Sequence, residues 1–176
     1  MIKKTLGAFA LLLVLLLAFA ATRPDNFRVE RATVIKAPAD KVFTFLNDFQ
    51  KFGAWSPWEK LDPAMQRTFS GPATGVGSVY AWSGNDDVGA GRMEIIGVEP
   101  AAKVTIKLDF LKPFESRNTT DYILQPGTDG TTTVTWAMYG PMPFVSKVMG
   151  VFVSMDAMIG KDFERGLANL KAVSEK

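Results

Sequence analysis

AKVTIKLDF, residues 102–110, alternates without a break: Ala102, Val104, Ile106, Leu108 and Phe110 fall on one face, Lys103, Thr105, Lys107 and Asp109 on the other. A period of two with one apolar face marks a half-buried strand of an antiparallel sheet. Strands of the same kind flank it. Upstream are Gln66–Ser70, Ser78–Ser83 with Tyr80 and Trp82 on one face, and Gly91–Val98. Downstream are Arg117–Gln125 and Thr131–Tyr139, the latter with Val134, Trp136 and Met138 on one side. Turn residues separate them: Gly84-Asn85-Asp86-Asp87, Glu99-Pro100-Ala101 and Pro126 to Gly130. Such short breaks join sequential hairpins.

The pattern changes at both ends of this series. Before it, FRVERATVIK (27–36) reads as one more strand, and Ala37-Pro38-Ala39-Asp40 opens a helix whose Val42, Phe43, Leu46 and Phe49 recur at helical spacing to about Phe52. Proline suits a first helical turn because its missing N–H has no partner there anyway. After it, Val148, Phe152, Met155, Ile159, Phe163, Leu167, Leu170 and Val173 step by three or four. That periodicity predicts one helix from Pro143 to about Val173, some 45 Å long. Gly150, Gly160 and Gly166 interrupt its side chains, allowing a bend, close backbone packing on the sheet, or a bulky neighbour. A seven-stranded sheet and a long helix with one apolar face must cover each other. The fold class is therefore α+β, a curved antiparallel sheet wrapped on the C-terminal helix, with space for a cavity where curved sheet and straight helix part.

Residues 1–25 stand apart. Lys3 and Lys4 precede Leu6–Ala21, an unbroken apolar run of 16 residues ended by Arg23, Pro24 and Asp25. This is the layout of a secretory signal peptide, with Ala18-Phe19-Ala20 as an A-x-A cleavage pattern near Ala20. It is equally the layout of a short anchor: residues 6–21, about 24 Å of helix, would lie in the membrane if uncleaved. In either case the positive end stays inside and residues 26–176 form a domain on the extracytoplasmic side of a bacterial membrane, periplasmic or secreted.

Composition narrows the chemistry. Lys3 and Lys4 account for the whole excess of 20 basic over 18 acidic residues, so the domain has no net charge with which to bind nucleic acid. Cysteine and histidine are both absent. Disulfides, thiolate nucleophiles, Cys-type zinc sites and a Ser-His-Asp triad are excluded, and no metal site or cofactor is expected. Asp86 and Asp87 read as turn residues and not as cation ligands.

Three stretches carry a resemblance: VIKAPADKVFTFLNDFQKFGAWSPWEKLDP (34–63), GPATGVGSVYAWSGNDDVGAGRMEI (71–95) and the final helix. With Ala37-Pro38, Trp55-Ser56-Pro57-Trp58, Gly71-Pro72, Gly75-x-Gly77 and Tyr80-x-Trp82-x-Gly84-Asn85, the chain resembles, over about residues 27–174, the polyketide cyclase/dehydrase-like branch of the START/Bet v 1-like (SRPBCC) superfamily. The resemblance implies the helix-grip fold and a hydrophobic cavity roofed by the last helix. It implies no single activity, since the superfamily includes binders of lipids, sterols, hormones and polyketides as well as enzymes, and it supplies no catalytic set.

The candidate ligand-binding residues are Trp55, Trp58, Tyr80, Trp82, Trp136, Met155 and Ile159. Trp55 and Trp58 read either as an aromatic lip or as packing of the loop, and tryptophan offers apolar area with one donor. Tyr80 and Trp82 line a pocket if their shared face is concave. The catalytic candidates are Glu94, Arg92 and Tyr80: a buried carboxylate beside a guanidinium could activate water, whereas alternation with Met93 and Ile95 puts Arg92 and Glu94 on the solvated face. The leading expectation is a module that binds a lipid-like or polyketide-like hydrophobic small molecule. A cyclase or dehydratase without metal is the alternative, and a membrane-proximal interaction module without ligand the third. A carboxylate buried in the cavity with a hydrogen-bonded partner favours the enzyme; a purely apolar lining excludes it.

Overall fold

The computed structural model describes residues 2–176, with side chains from Thr5 onward; the side chains of Lys3 and Lys4 lie outside the described residues. The elements run α1 (Ile2–Ala21), β1 (Asn26–Ile35), α2 (Ala39–Leu46), a 3₁₀ turn (Phe49–Ala54), β2 (Gln66–Ser70), β3 (Val79–Ser83), β4 (Ala90–Glu99), β5 (Lys103–Lys112), β6 (Ser116–Pro126), β7 (Thr132–Pro141), α3 (Phe144–Met149) and α4 (Met155–Ser174). The seven strands form one antiparallel sheet in the order β1-β7-β6-β5-β4-β3-β2. Only the placement of β1 beside β7 departs from sequential hairpins.

The inward face of the sheet is the apolar face read from the sequence. Val104, Ile106 and Leu108 of β5 are buried, as are Met93 and Ile95 of β4, Tyr122 and Leu124 of β6, and Val134, Trp136 and Met138 of β7. Register shifts in β4, between Ala90 and Gly91 and between Ile95 and Gly97, add local bends that help the sheet to curve. α4 lies across the hollow, burying Phe163, Leu167 and Leu170. The chain is thus an α+β helix-grip domain.

The helices differ from the sequence reading in two places. The expected helix over 143–173 is two helices, because Gly150 caps α3 and the Ser154 hydroxyl accepts from the Ala157 N–H at 3.1 Å to start α4. The β-branched Val151 and Val153 lie in the break. Likewise the first amphipathic stretch ends as a helix at Leu46, and Asp48 caps the 3₁₀ turn through the Gln50 N–H.

Two of the helix glycines face bulky partners. A Cβ on Gly160 would lie 2.2 Å from the Arg31 guanidinium, and one on Gly166 would lie 2.6 Å from the Trp136 ring. Arg31 uses that space to reach Asp156 and Glu164, both at 2.7 Å, joining β1 to α4. Gly166→Ala is therefore expected to lower stability by roughly 1–3 kcal/mol through overpacking, despite alanine's better helix propensity; a urea unfolding midpoint at or above that of the native chain would refute this.

At the N-terminus, α1 exposes apolar side chains around its circumference, among them Leu6, Phe9, Leu12, Leu15 and Phe19, whereas Ala20 is fully buried. Among the described residues no helix is long and apolar enough to cross a membrane. The link from α1 to the domain is short and pinned. The Asp25 carbonyl accepts from the Met142 N–H at 2.7 Å, and its carboxylate pairs with the buried Lys147 ammonium at 2.5 Å. That ammonium holds the Asp25 carboxyl below the usual range.

Candidate functional site

The middle of the grip is filled with rings. Trp136 stacks on Phe163 of α4 with centroids 4.1 Å apart and planes 9° from parallel. Trp55 meets Trp136 and Tyr122 edge-on at 5.5 and 5.7 Å. Space remains at one end of the sheet, beside the β3–β4 turn, as a pocket of about 230 Å³.

Its walls follow from local sequence. Gly91 of β4 lies opposite Trp82 of β3, and a Cβ there would come within 2.4 Å of the indole. The bare backbone lets that ring lie flat, and its Nε1–H donates to the Val88 carbonyl at 2.9 Å. Tyr80 stacks on Trp82 with centroids 5.9 Å apart, and Phe110 of β5 meets it edge-on. Phe52, Trp58, Met65, Met93 and Ile159 close the apolar wall, while Asp86 to Gly89 with Lys112 and Pro113 form the rim.

A buried carboxylate breaks the apolar wall. Glu59 sits on the Gly- and Trp-rich loop before β2, and only 9 % of its side chain is exposed. Two ties position it. The Asp62 carboxylate accepts from the backbone N–H groups of Ala64 and Asn85 at 2.9 and 2.7 Å, fastening the loop to the β3–β4 turn. Arg67 of β2 donates to the Met65 and Glu59 carbonyls and, through Nε, to Glu59 Oε2 at 2.6 Å. The Tyr80 hydroxyl donates to Glu59 Oε1. Burial and then the neighbouring carboxylate push the Tyr80 phenol up, so it stays protonated. The hydrogen bond to Glu59 raises the Arg67 guanidinium as well. A carboxylate oxygen has two lone pairs, so each Glu59 oxygen can still accept from a ligand hydroxyl.

Of the residues singled out from the sequence, Trp58, Tyr80, Trp82 and Ile159 line this pocket. Trp55, Trp136 and Met155 do not. Trp55 is buried in the core with its Nε1–H on the Phe45 carbonyl, Trp136 is buried against Phe163, and Met155 packs at the core edge. Arg92 and Glu94 lie away from the pocket, paired with each other at 2.8 Å on the partly exposed outer face. Strand alternation is the reason, because Met93 and Ile95 between and beside them take the inner face. Glu59 and Arg67 escaped the sequence reading. Their loop has no period to read, and the pairing of Glu59 with Tyr80 depends on how that loop folds back over β3. The only local signal was a charged residue directly after Trp55-Ser56-Pro57-Trp58 in a segment rich in large apolar side chains.

Comparisons with known proteins agree with this architecture. A family described as polyketide cyclase / dehydrase and lipid transport matches residues 26–175. No curated protein matches the sequence. Among solved structures, the chain is similar to the Aha1 dimer protein of Colwellia psychrerythraea, at 17% identity over 85% of this chain and 96% of that one, with a TM-score of 0.61. It is similar to the di-domain ARO/CYC protein StfQ from the steffimycin biosynthetic pathway, at 13% identity with a TM-score of 0.62, covering 85% of this chain but 51% of StfQ. The protein Ara h 8.0201 is 10% identical over 85% of this chain and 97% of that one, with a TM-score of 0.56. At these identities the likeness is one of fold.

Proposed function

Because the chain belongs to the polyketide cyclase / dehydrase and lipid transport family, we propose that it binds a hydrophobic small molecule, lipid-like or polyketide-like, in the pocket beside Tyr80 and Trp82. The observation that carries this reading is the lining itself: aromatic and aliphatic walls around the Glu59–Tyr80 pair, with the charged Asp86, Asp87 and Lys112 at the rim. Apolar walls supply affinity by burial, and one fixed polar pair supplies orientation. The ligand therefore has a hydrocarbon or polycyclic body and a hydroxyl that donates to this pair. Tyr80→Phe should weaken a long-chain alcohol by about three- to tenfold, the worth of one hydrogen bond, and leave a hydrocarbon probe of the same length unaffected. Equal weakening of both probes in a fluorescence titration would contradict the assigned polar contact.

A second reading, an enzyme, rests on the same pair and is favoured by the buried, hydrogen-bonded carboxylate of Glu59. A buried carboxylate hydrogen-bonded to a tyrosine is a working acid–base couple. In a dehydration, Glu59 would take the proton from the carbon next to a carbonyl, and the carbon–hydroxyl bond would break as Tyr80 protonates the departing oxygen. A C=C bond forms, water leaves, and the Glu59 proton returns to Tyr80. Glu59→Gln should then abolish turnover while retaining binding; loss of both would leave only the binding role.

The domain is further proposed to sit on the extracytoplasmic side of a bacterial membrane, with α1 retained in the bilayer. The buried Ala20 and the pinned Asp25 support retention, since they make the end of α1 part of the domain's packing. A run of about 24 Å is shorter than a hydrocarbon core of about 30 Å; flanking cations that snorkel and local thinning offset the difference.

A further inference from the structure

The strand register places α1 and the pocket rim at the same end of the sheet. Asn26 pairs with Pro141, Phe110 with Ser116, Lys112 with Ala90, and Ala90 of β4 lies beside Ser83 of β3. The start of β1, the end of β7, the β5–β6 turn and the β3–β4 turn therefore form one rim. α1 enters at that rim, and Asp25 ties it to Met142 and to Lys147 of α3.

The same rim carries large apolar side chains turned to solvent from two further segments. Phe114 of the β5–β6 turn is 74 % exposed, and Leu111 beside it is also exposed. On and after α3, Val145 is 70 % and Phe152 72 % exposed. A soluble surface scatters such residues singly, whereas here they share one end of the sheet with the foot of a helix whose exposed side chains are apolar. Lys112 and Pro113, between Leu111 and Phe114, belong to the pocket rim.

We infer that this end of the domain is a lipid-bilayer contact surface, with Leu111, Phe114, Val145 and Phe152 set in the interface and the pocket mouth turned toward lipid. The inference rests on the reading that α1 is inserted. Its occupant is the bilayer because α1, whose exposed side chains are apolar, packs against α3 and is tied to it through Asp25: a helix pinned to the domain within four residues of its end cannot enter lipid without bringing α3 to the interface. An apolar ligand would then pass between bilayer and pocket without crossing water.

The cysteine-free sequence makes the test direct, since any introduced cysteine is unique. Full-length Leu12→Cys, Phe114→Cys, Val145→Cys, Phe152→Cys and Val76→Cys would be spin-labelled in phosphatidylethanolamine/phosphatidylglycerol vesicles. Collision with oxygen is then compared with collision with a water-soluble nickel chelate. Val76 is exposed in the loop before β3, at the other end of that strand. The expected result is oxygen-favoured collision at 12, 114, 145 and 152 and nickel-favoured collision at 76. An oxygen-favoured 12 with 114, 145 and 152 matching 76 overturns the contact surface and leaves the anchor intact. A nickel-favoured 12 overturns the anchor, and the contact surface with it.

Discussion

Trp136→Ala is expected to lower stability by about 3–5 kcal/mol, the range for deleting a fully buried large aromatic. The indole is 3 % exposed. It is stacked on Phe163, and Trp55, Trp58 and Tyr122 pack around it. It therefore holds α4, the first loop and β6 to one point on β7. The surrounding rings are rigid and cannot collapse into the space left behind, which puts the cost toward the upper part of that range. For a domain of this size the melting temperature should drop by roughly 8–16 °C. Trp136→Phe should cost much less. The Trp136 Nε1–H is buried without a hydrogen-bond partner, and phenylalanine removes that unpaired donor along with part of the ring. Thermal unfolding of the two variants decides the matter: equal losses would mean that the stack is not what holds the grip closed.

Ile159→Trp is expected to weaken binding of an apolar probe by about tenfold or more, or about 1.4 kcal/mol, with little change in stability. Ile159 is a half-buried residue of α4 whose side chain faces the pocket and not the aromatic stack. A larger ring there occupies the volume a ligand needs, and its cost in folding is small because the space is already open. Trp136→Ala and Ile159→Trp thus separate two roles of the aromatic interior. The first should reduce stability strongly; the second should remove binding from a protein that still folds. A probe titration in which Ile159→Trp binds like the native chain would mean that the ligand lies elsewhere.

The sheet was legible in the sequence because its signal is local. Residues 102–110 alternate strictly, and their apolar set became the buried face. The helices were legible as apolar stripes but not in their lengths. A stripe of period three to four runs through Gly150 and Val151 as readily as through a helix, and only the caps at Gly150 and Ser154 divide it. The site divides along the same line. Tyr80 and Trp82 share a strand face, so their position beside the pocket followed from alternation once the concave side was known. Trp136 shares the inward direction but meets Phe163, because Gly166 lets the helix come close enough to stack. Glu59 depends on contacts between a loop, β2 and β3, distant in sequence, and no periodicity encodes them.

The position of the pocket also changes what its glycines mean. Gly91 and Gly166 both exist to admit a tryptophan, one at the rim and one in the core. The first shapes a pocket wall, and the second closes the space beneath the helix. The proposed binding therefore belongs to one end of the grip.

The most direct measurement is native mass spectrometry of the full-length chain purified from its own host, beside Ile159→Trp prepared in the same way. The native chain should carry a discrete adduct that organic solvent extracts, and the variant should lack it. A bare chain mass for both proteins, or the same adduct at the same occupancy in Ile159→Trp, would contradict a hydrophobic ligand held beside Tyr80 and Trp82.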